Sequence, residues 1–358
     1  MAKISVVIPS YNHAEFISKA INSVLAQTEP DFELIIVDDG STDDSLEVIS
    51  GFTDQRLTVL TQPNQGAHAA INRGLGEASG KYLTILNSDD VYHLQRLEKV
   101  ISSLEADSGL GLVGSYIEII DDQNKSLGVK HGYKDCSPWI LENPERSFRA
   151  GSDLKAALLT ENYWSTTSNY VFTRETLERV GKFRPLRYVH DWDFALRVAR
   201  NTKLALLPEP LMSYRVHERN TIREDQAAMI FEICWCLAVH LPVDVEDEQF
   251  YNDFPIPHRI DQLLNSVYTY ECDRVLSVML LYKLHENPEE AINLLEPGNE
   301  VREEYMQFIF NRIVKEGEEN AESPGHDGLQ DKRITDQLGR SLERRILSLK
   351  RYLNSDRK

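Results

Sequence analysis

Pairs of acidic residues stand close behind two short apolar runs of the sequence. Asp38 and Asp39 follow one run directly, and Asp89 and Asp90 come three residues after another. A third polar cluster, Pro-Ser-Tyr-Asn at residues 9–12, follows the first apolar run of the chain. Clustered carboxylates suit a hard divalent cation, Mg²⁺ or Mn²⁺, that also binds the oxygens of a diphosphate. The pattern therefore predicts a metal-assisted site for a phosphorylated small molecule.

Two common phosphate-binding motifs are absent after the first apolar run. The sequence there contains no Gly-x-Gly-x-x-Gly, which argues against dinucleotide binding, and no Gly-Lys-Ser/Thr phosphate loop. A receiver domain also carries paired acids in a doubly wound sheet, but it needs an aspartate after its third strand. The predicted third strand here ends at Thr-Gln-Pro-Asn, residues 61–64. A nucleotidyltransferase would place a glycine-rich basic loop where Pro-Ser-Tyr-Asn stands.

The elements that must position these acids alternate between strand and helix patterns. Apolar runs predict four buried strands, at residues 4–8, 34–37, 57–60 and 82–86. Helical spacing predicts helices at residues 14–27 and 67–78, and Ser41 or Thr42 is predicted to cap another between them. This order predicts an α/β fold with a doubly wound, mainly parallel sheet. Because ligands bind at the carboxyl ends of such strands, the three polar clusters should share one crevice.

Six motifs occur together in a fixed order. They are Val-Val-Ile-Pro-Ser-Tyr-Asn (6–12), Ile-Val-Asp-Asp-Gly-Ser-Thr-Asp (36–43), Asn-Gln-Gly-Ala-x-Ala-Ala-Ile-Asn (64–72), Leu-Asn-Ser-Asp-Asp (86–90), His-Asp-Trp-Asp-Phe-Ala-Leu-Arg (190–197) and Tyr-Arg-Val-His (214–217). The set resembles family 2 glycosyltransferases over roughly residues 1–220. That resemblance implies the GT-A fold and the transfer of a sugar from a nucleotide donor.

The resemblance assigns a nucleotide-binding role to six positions: Pro9, Ser10, Tyr11, Asp39, Gly66 and Asp89. The ring of Tyr11 would pack on the base. Asp39 would accept the base N–H, which favours uracil or thymine over purines, and Asp89 would contact the ribose.

The resemblance also implies a divalent metal, Mn²⁺ or Mg²⁺. Asp90 and His217 are the positions implied to hold it. Asn87 stands where many relatives carry the first aspartate of their Asp-x-Asp motif, and its neutral oxygen implies a weaker metal contact there.

Asp191 matches the position of the catalytic base. It opens a predicted helix, where the helix dipole favours a charged carboxylate. Trp164, His190 and Trp192 are the positions predicted to contact the acceptor or the donor sugar. Asp193, two residues beyond the base, points elsewhere on the helix and is assigned a structural role.

The reaction implied is inverting and non-processive. The processive-synthase motif Gln-x-x-Arg-Trp is absent, which favours transfer of one sugar. The expected donor is a UDP- or dTDP-sugar, and the expected acceptor is a hydroxyl of a glycan or lipid-linked saccharide in bacterial surface polysaccharide biosynthesis. The alternative is a catalytically inactive GT-A module that binds sugar nucleotides. Its mark would be loss of Asp90 or Asp191, and both are present.

The motifs divide the chain into four predicted regions. A catalytic domain covers residues 1–222, with a nucleotide-binding half at about 1–110 and an acceptor half at about 111–222. A C-terminal helical extension covers 223–322, and a linker covers 323–330. Residues 331–358 predict an amphipathic helix with nine Lys/Arg against four Asp/Glu, a net charge of +5.

The formal net charge of the whole chain is -18, which argues against a nucleic-acid-binding protein. No signal peptide and no membrane-spanning run is predicted. The expected location is cytoplasmic, at the inner face of the membrane if the basic helix contacts lipid. The alternative roles for that helix are dimerisation through residues 331–358 and packing against its own domain.

Overall fold

The structure is a computed structural model that describes residues 2–131, 158, 162–217, 220, 225–240, 293–296 and 298–322. The predicted linker 323–330 and basic helix 331–358 lie outside the described residues. The described residues form one sheet of nine strands: β1 (Ile4–Ser10), β2 (Phe32–Asp38), β3 (Leu57–Thr61), β4 (Tyr82–Ile85), β5 (Val91–Tyr92), β6 (Leu110–Ile120), β7 (Ser126–Lys130), β8 (Val171–Thr173) and β9 (Lys203–Arg215).

The strands follow the order β3-β2-β1-β4-β8-β6-β9-β5, with β7 paired to β6. β1 to β4 pair in parallel, whereas β8 runs antiparallel to both β4 and β6. β6 and β9 are parallel to each other. The sheet is thus parallel in its first half and mixed in its second. The chain leaves β1 toward β2 and returns to its other side as β4, so strand order reverses at β1, where an open sheet forms its binding crevice.

Helices cover the two faces of the sheet. They are α1 (Ile17–Leu25), α2 (Ser45–Ser50), α3 (Ala67–Glu77), α4 (Arg96–Ala106), α5 (Arg174–Val180), α6 (His190–Asn201), α7 (Gln226–His240) and α8 (Glu300–Glu322). Val7 of β1 belongs to the core on one face, with α3, α6 and α7, whereas Val6 and Ile8 belong to the core on the other, with α1 and α4. Burial on both faces explains why β1 is apolar at consecutive positions.

One local prediction was wrong. Neither Ser41 nor Thr42 caps a helix, because α2 begins later, at Ser45. Ser41 instead accepts a hydrogen bond from the backbone N–H of Asn12, and so joins the loops after β1 and β2. A short 3₁₀ turn at Thr167–Asn169 precedes β8. The hydroxyl of Thr166 stabilises that turn by accepting from the N–H of Ser168.

The extension begins with α7, which is apolar around most of its circumference and packs between α6 and α8. Its buried side chains include Phe231 and Trp235, and the guanidinium of Arg302 in α8 lies 5.9 Å from the Phe231 ring centroid. α7 therefore shares a hydrophobic core with the helix that carries Asp191. No helix within the described residues is both long and apolar enough to cross a membrane.

Candidate functional site

The carboxylate of Asp39 lies at the end of β2 and holds the loop that follows β3. Its Oδ1 accepts from Gln62 Nε2 at 2.7 Å and from the N–H of Gln65 at 3.0 Å. Its Oδ2 accepts from the N–H of Gly66 at 2.8 Å. A carboxylate offers about four acceptor positions, so three bonds leave one position for a ligand donor. Asp39 and Gly66, both predicted to bind the nucleotide, are thus brought together.

Glycine is required beside this carboxylate. Gly40 has φ +77°, and a Cβ there would lie 2.9 Å from the backbone nitrogen of Asn64. Gly66 has φ +89° at the start of α3. Both positions combine left-handed backbone with close approach, so a side chain at either would strain the loop around Asp39.

Tyr11 projects from the loop after β1 and is 44% exposed. The loop itself is fixed, because Asn12 Oδ1 accepts from the N–H of Thr42 at 2.7 Å and the N–H of Asn12 donates to Ser41 Oγ. Pro9 and Ser10 are buried at the end of β1. Their contact with a nucleotide stays a prediction.

Three metal-binding side chains converge beside the end of β4. Potential ligand atoms of His13, Asp89 and His217 lie within 4.8 Å of one another. His217 Nε2 is 3.1 Å from Asp89 Oδ2. His13 Nδ1 is 2.7 Å from Ser88 Oγ, which leaves its Nε2 as the nitrogen for a metal. A hydrogen bond on the second ring nitrogen is typical of histidines that bind metals.

The ring of His217 is also held by packing. It stacks on Phe16 at a centroid distance of 5.0 Å and an interplanar angle of 30°. The ring of His13 lies edge-on to His217, 5.9 Å away. The aromatic contacts therefore fix both imidazoles before any ion binds, which lowers the entropy lost on binding.

The metal role predicted for Asp90 stays a prediction, and the group of potential ligands contains its neighbour Asp89 instead. Asp90 is only 1% exposed, and each of its oxygens accepts a hydrogen bond from the protein. Its Oδ2 accepts from Ser168 Oγ at 2.5 Å, and its Oδ1 accepts from the N–H of Arg215 at 3.0 Å. Burial, with the adjacent charge of Asp89, raises the pKa of Asp90 well above its usual value. The carboxylate that faces the two histidines is Asp89, for which a ribose contact was predicted.

The pKa of Asp89 shifts in the opposite direction. Burial alone would raise it, but the hydrogen bond with His217 and the nearby His13 lower the pKa below its usual value. The guanidinium of Arg215 holds the turn from behind, because its Nε donates to the carbonyl of Asp89 at 2.8 Å. Asp89 is therefore kept ionised and in place, as a metal ligand must be.

Asn87 does not face the three metal-binding side chains. Its Nδ2 donates to Thr166 Oγ1 at 2.9 Å, and its Oδ1 accepts from Thr167 Oγ1 at 2.9 Å. Its side chain thus joins the turn after β4 to residues 166–168.

Asp191 lies in the first turn of α6 and is mostly buried. Its Oδ1 accepts from the N–H of Trp192 at 2.7 Å, and its Oδ2 accepts from Asn162 Nδ2 at 2.9 Å. The hydroxyl of Tyr170 donates to the carbonyl of Asp191 at 2.9 Å. The segment at residues 162–170 therefore contacts Asp191. Through Ser168 it also contacts Asp90, in the turn after β4.

The two tryptophans predicted to contact a sugar are both buried, which does not favour the contacts, and the contacts stay predictions. Trp164 has no exposed surface and lies against Gly114, where a Cβ would be 1.9 Å from its Nε1. Trp192 donates from Nε1 to the carbonyl of Leu158 at 2.6 Å. His190 keeps partial exposure next to Asp191, and its sugar contact stays a prediction.

Comparison with known proteins assigns the family. A model of the family described as Glycosyl transferase family 2 matches residues 5–181. An uncharacterized glycosyltransferase of Haemophilus influenzae is 32% identical over 225 residues, 61% of this chain and 67% of that protein. The chain belongs to glycosyl transferase family 2. A second relative of this glycosyltransferase, alr2836 of Nostoc sp., is 34% identical over 226 residues, 61% of this chain and 66% of that protein. The match spans about two thirds of the length of these two relatives.

The fold of this glycosyltransferase is that of GT-A enzymes, as the sequence predicted. The crystal structure of S. aureus TarS 1-349 in complex with UDP-GlcNAc superposes with a TM-score of 0.54 at 18% identity, over 74% of this chain and 71% of that chain. The complex of the same protein with UDP also gives 0.54, over 82% and 81% of the two chains.

Two residues of this glycosyltransferase were missed by sequence analysis. His13 lies in the loop after β1, and its only signal is a histidine beside the Pro-Ser-Tyr-Asn motif. Glu232 is a lone carboxylate in an apolar run, and that isolation is itself a signal, because a buried charge requires partners. Glu232 accepts hydrogen bonds from the backbone just before α6.

Proposed function

We propose that this chain is an inverting glycosyltransferase that moves one sugar from a UDP- or dTDP-sugar to a hydroxyl of a glycan or lipid-linked saccharide. The observation that carries the proposal is the segment at residues 162–170. It binds Asp191 through Asn162 and Tyr170, and it binds the turn at residues 87–90 through Thr166 and Ser168. The same segment of chain therefore holds the carboxylate of the proposed base and the turn that carries Asp89. Displacement at a sugar diphosphate requires these two groups to be held at fixed positions.

Asp191 is the proposed base. Its carboxylate is oriented by Asn162 and by the N–H of Trp192, so it can take the proton of an acceptor hydroxyl as that oxygen attacks the anomeric carbon. Attack from the side opposite the diphosphate inverts the configuration of the sugar. The dipole of α6 adds to the stability of the ionised form.

Asp89, His217 and His13 are the proposed ligands of a divalent cation, Mn²⁺ or Mg²⁺. Their donor atoms lie close enough to share one ion, and Asp89 is held ionised. A cation bound there supplies positive charge that stabilises the departing diphosphate. Asp90, which the sequence favoured, supports the turn through Ser168 and Arg215.

Asp39 and Tyr11 are the proposed contacts of the base. Asp39 retains one acceptor position after its three internal bonds, which matches the single N–H on the pairing edge of uracil or thymine. The exposed ring of Tyr11 offers a flat apolar surface, and it follows Ser10, whose carbonyl accepts a hydrogen bond from the N–H of Asp39 at 2.8 Å. The complexes of TarS with UDP and UDP-GlcNAc support a uridine donor in this fold.

A role in bacterial surface polysaccharide biosynthesis, at the inner face of the membrane, is part of the proposal. It is supported by the bacterial sources of the related glycosyltransferases and by the basic residues at 331–358.

The test is a screen of nucleotide sugars with Mn²⁺, measured as protection from thermal unfolding. UDP- or dTDP-sugars should raise the midpoint temperature of unfolding, and GDP-sugars should leave it unchanged. The donor that protects is then used in a transfer assay. Asp191→Asn should retain the protection and lose about three orders of magnitude in kcat, because only the proton acceptor is removed. Absence of protection by any uridine or thymidine ligand, or near-normal turnover by Asp191→Asn, would refute the proposal.

A further inference from the structure

Helix α7 buries two ionisable side chains within an otherwise apolar surface. Glu232 is 6% exposed and His240 is 3% exposed, and their neighbours on the helix include Phe231, Cys234 and Trp235, all fully buried. A buried carboxylate is stable only when its oxygens accept strong hydrogen bonds. The partners of Glu232 and His240 therefore indicate what these two residues do.

The carboxylate of Glu232 accepts hydrogen bonds from the backbone immediately before α6, the helix that carries Asp191. Its Oε1 accepts from the N–H of Arg187 at 2.9 Å. Its Oε2 accepts from the N–H of Tyr188 at 2.7 Å and from that of Val189 at 3.3 Å. Val189 is the residue that caps α6, and no side chain of the cap itself bonds to the helix. A carboxylate from a separate helix thus binds the turn from which α6 begins.

Asp191 stands two residues after the last of these N–H groups. The backbone N–H of Asp193 already bonds to the carbonyl of Val189 at 2.9 Å, so the held turn and the first turn of α6 are continuous. Within that turn, the Asp191 side chain has its direction set by the N–H of Trp192. Any shift of residues 187–189 would therefore move the carboxylate of Asp191.

His240, at the other end of α7, holds the same helix at a second point. Its Nε2 lies 2.9 Å from Asp193 Oδ1. Burial lowers the pKa of His240, so the neutral ring donates its N–H to the carboxylate. α7 thus holds the first turn of α6 from both sides of Asp191.

We propose that Glu232 is a positioning residue for Asp191, and that α7 of the extension is part of the catalytic unit. This inference rests on the proposed role of Asp191 as base. It assigns to the extension a function in the chemical step, because three backbone hydrogen bonds set the direction in which the base points. A displacement of about 1 Å in a reacting group is enough to slow a reaction about a hundredfold.

The test compares Glu232→Gln with Ile230→Val in the full-length protein. The amide of glutamine keeps the size of the side chain but offers one acceptor oxygen and an NH₂ group that faces backbone donors. Ile230→Val removes one methylene from the same buried helix and serves as the control for packing. Glu232→Gln should lower kcat by about tenfold to a hundredfold and leave the donor KM unchanged. Ile230→Val should leave both constants unchanged.

Hydrogen exchange at residues 187–192 provides a measurement that does not depend on turnover. Glu232→Gln should speed exchange there, while exchange at the Asp39 loop and protection by UDP stay at wild-type levels. Glu232→Asp, which has its carboxylate on a shorter side chain, should have a kcat between those of the wild type and Glu232→Gln. Faster exchange with an unchanged kcat would overturn the positioning role, as would a fall in kcat that the control shares. If the wild-type protein transfers no sugar, the proposed function fails, and unchanged exchange would then show that Glu232 does not hold the turn.

Discussion

Asp89 and Asp90, two adjacent aspartates after β4, have pKa values that shift in opposite directions. Asp90 points into the protein, where burial raises its pKa, and Asp89 points at two imidazoles, where His217 and His13 lower its pKa. Successive residues of a tight turn face different directions, so two identical side chains one position apart meet different environments. The resemblance to a family gives the pair, and only the geometry separates the carboxylate beside the two histidines from the one bonded to Ser168 and Arg215.

The ligand set predicts which ion binds. Two imidazole nitrogens and one carboxylate oxygen suit Mn²⁺ and Co²⁺ better than Mg²⁺, which prefers oxygen ligands. Calorimetry with the metal alone should therefore give a Kd for Mn²⁺ or Co²⁺ at least about tenfold below that for Mg²⁺. Asp89→Asn and His13→Gln should each weaken Mn²⁺ binding by about tenfold or more, because each removes one ligand.

Asp90→Asn is the matched control for this prediction. The raised pKa of Asp90 means that an amide resembles its protonated form, so this variant should bind Mn²⁺ as the wild type does. Equal affinity for Mg²⁺ and Mn²⁺, or loss of Mn²⁺ binding in Asp90→Asn but not in Asp89→Asn, would contradict the assignment.

At the scale of the elements, α6 is held by a buried ion network centred on Asp193. Arg184 Nη1 lies 2.7 Å from Asp193 Oδ1, and Arg197 Nη2 lies 2.9 Å from Oδ2. His240 of α7 adds the third partner. The structural role predicted for Asp193 agrees with this network, which joins the loop before α6, α6 itself and α7.

Acid should weaken the fold through this residue. Burial opposes ionisation, but His240, Arg197 and Arg184 together lower the pKa of Asp193 to about 2, against 3.8 for the unperturbed group. A lowered pKa means that the stabilisation is complete above pH 4 and is lost as pH falls through 2. The difference amounts to about 2 kcal/mol in the free energy of unfolding. Urea unfolding measured between pH 5 and pH 2 should show this component in the wild type.

Asp193→Asn should remove that pH-dependent component. It should also cost about 3–5 kcal/mol at neutral pH, because two arginines lose their carboxylate. Asp107→Asn is the control: the N–H of Gly109 and the Lys203 side chain also lower the pKa of Asp107, but its side chain is largely open to solvent, so this variant should change the acid profile far less than Asp193→Asn does. An acid profile of Asp193→Asn that matches the wild type would contradict the network's role.

The elements that the sequence predicted well are those with local patterns. β1, β2 and β4 are continuous apolar runs, and the turn at residues 38–41 carries glycine where left-handed backbone is required. What could not be predicted are pairings across long stretches of chain. His217 meets Asp89 across 128 positions, and Glu232 meets Arg187 across 45. Periodicity reports which face of an element is buried, but not which distant side chain shares that face.

Burial is what the sequence could not report for the two tryptophans predicted to contact a sugar. Trp164 and Trp192 have the chemistry of sugar contacts, but both lie in the core beneath the site. Large aromatic side chains contribute most to a core and are equally common on ligand surfaces, so residue type alone does not separate the two roles.

At the scale of the whole molecule, charge is distributed unevenly along the chain. The full sequence carries -18, whereas residues 331–358 carry nine Lys/Arg and four Asp/Glu, so residues 1–330 carry -23. A basic amphipathic segment on an acidic protein is attracted to anionic lipid while the rest of the molecule is repelled from it. The predicted helix at 331–358 would therefore turn the protein toward an anionic membrane surface, where the proposed lipid-linked acceptor would lie.

This orientation predicts salt-sensitive binding of the full-length protein to vesicles that contain phosphatidylglycerol. Neutralising Arg344, Arg345, Lys350 and Arg351 to glutamine should weaken vesicle binding by up to about 1 kcal/mol per charge, and should leave protection by UDP-sugars unchanged. Phosphatidylcholine vesicles are the control, because they offer the same apolar interior without the charge. Sedimentation at two salt concentrations gives the bound fraction. The apolar stripe of Ile and Leu residues could pack on lipid or on a second copy of the chain. If the wild-type protein does not bind anionic vesicles and light scattering shows a dimer, residues 331–358 contact a partner chain and not a membrane.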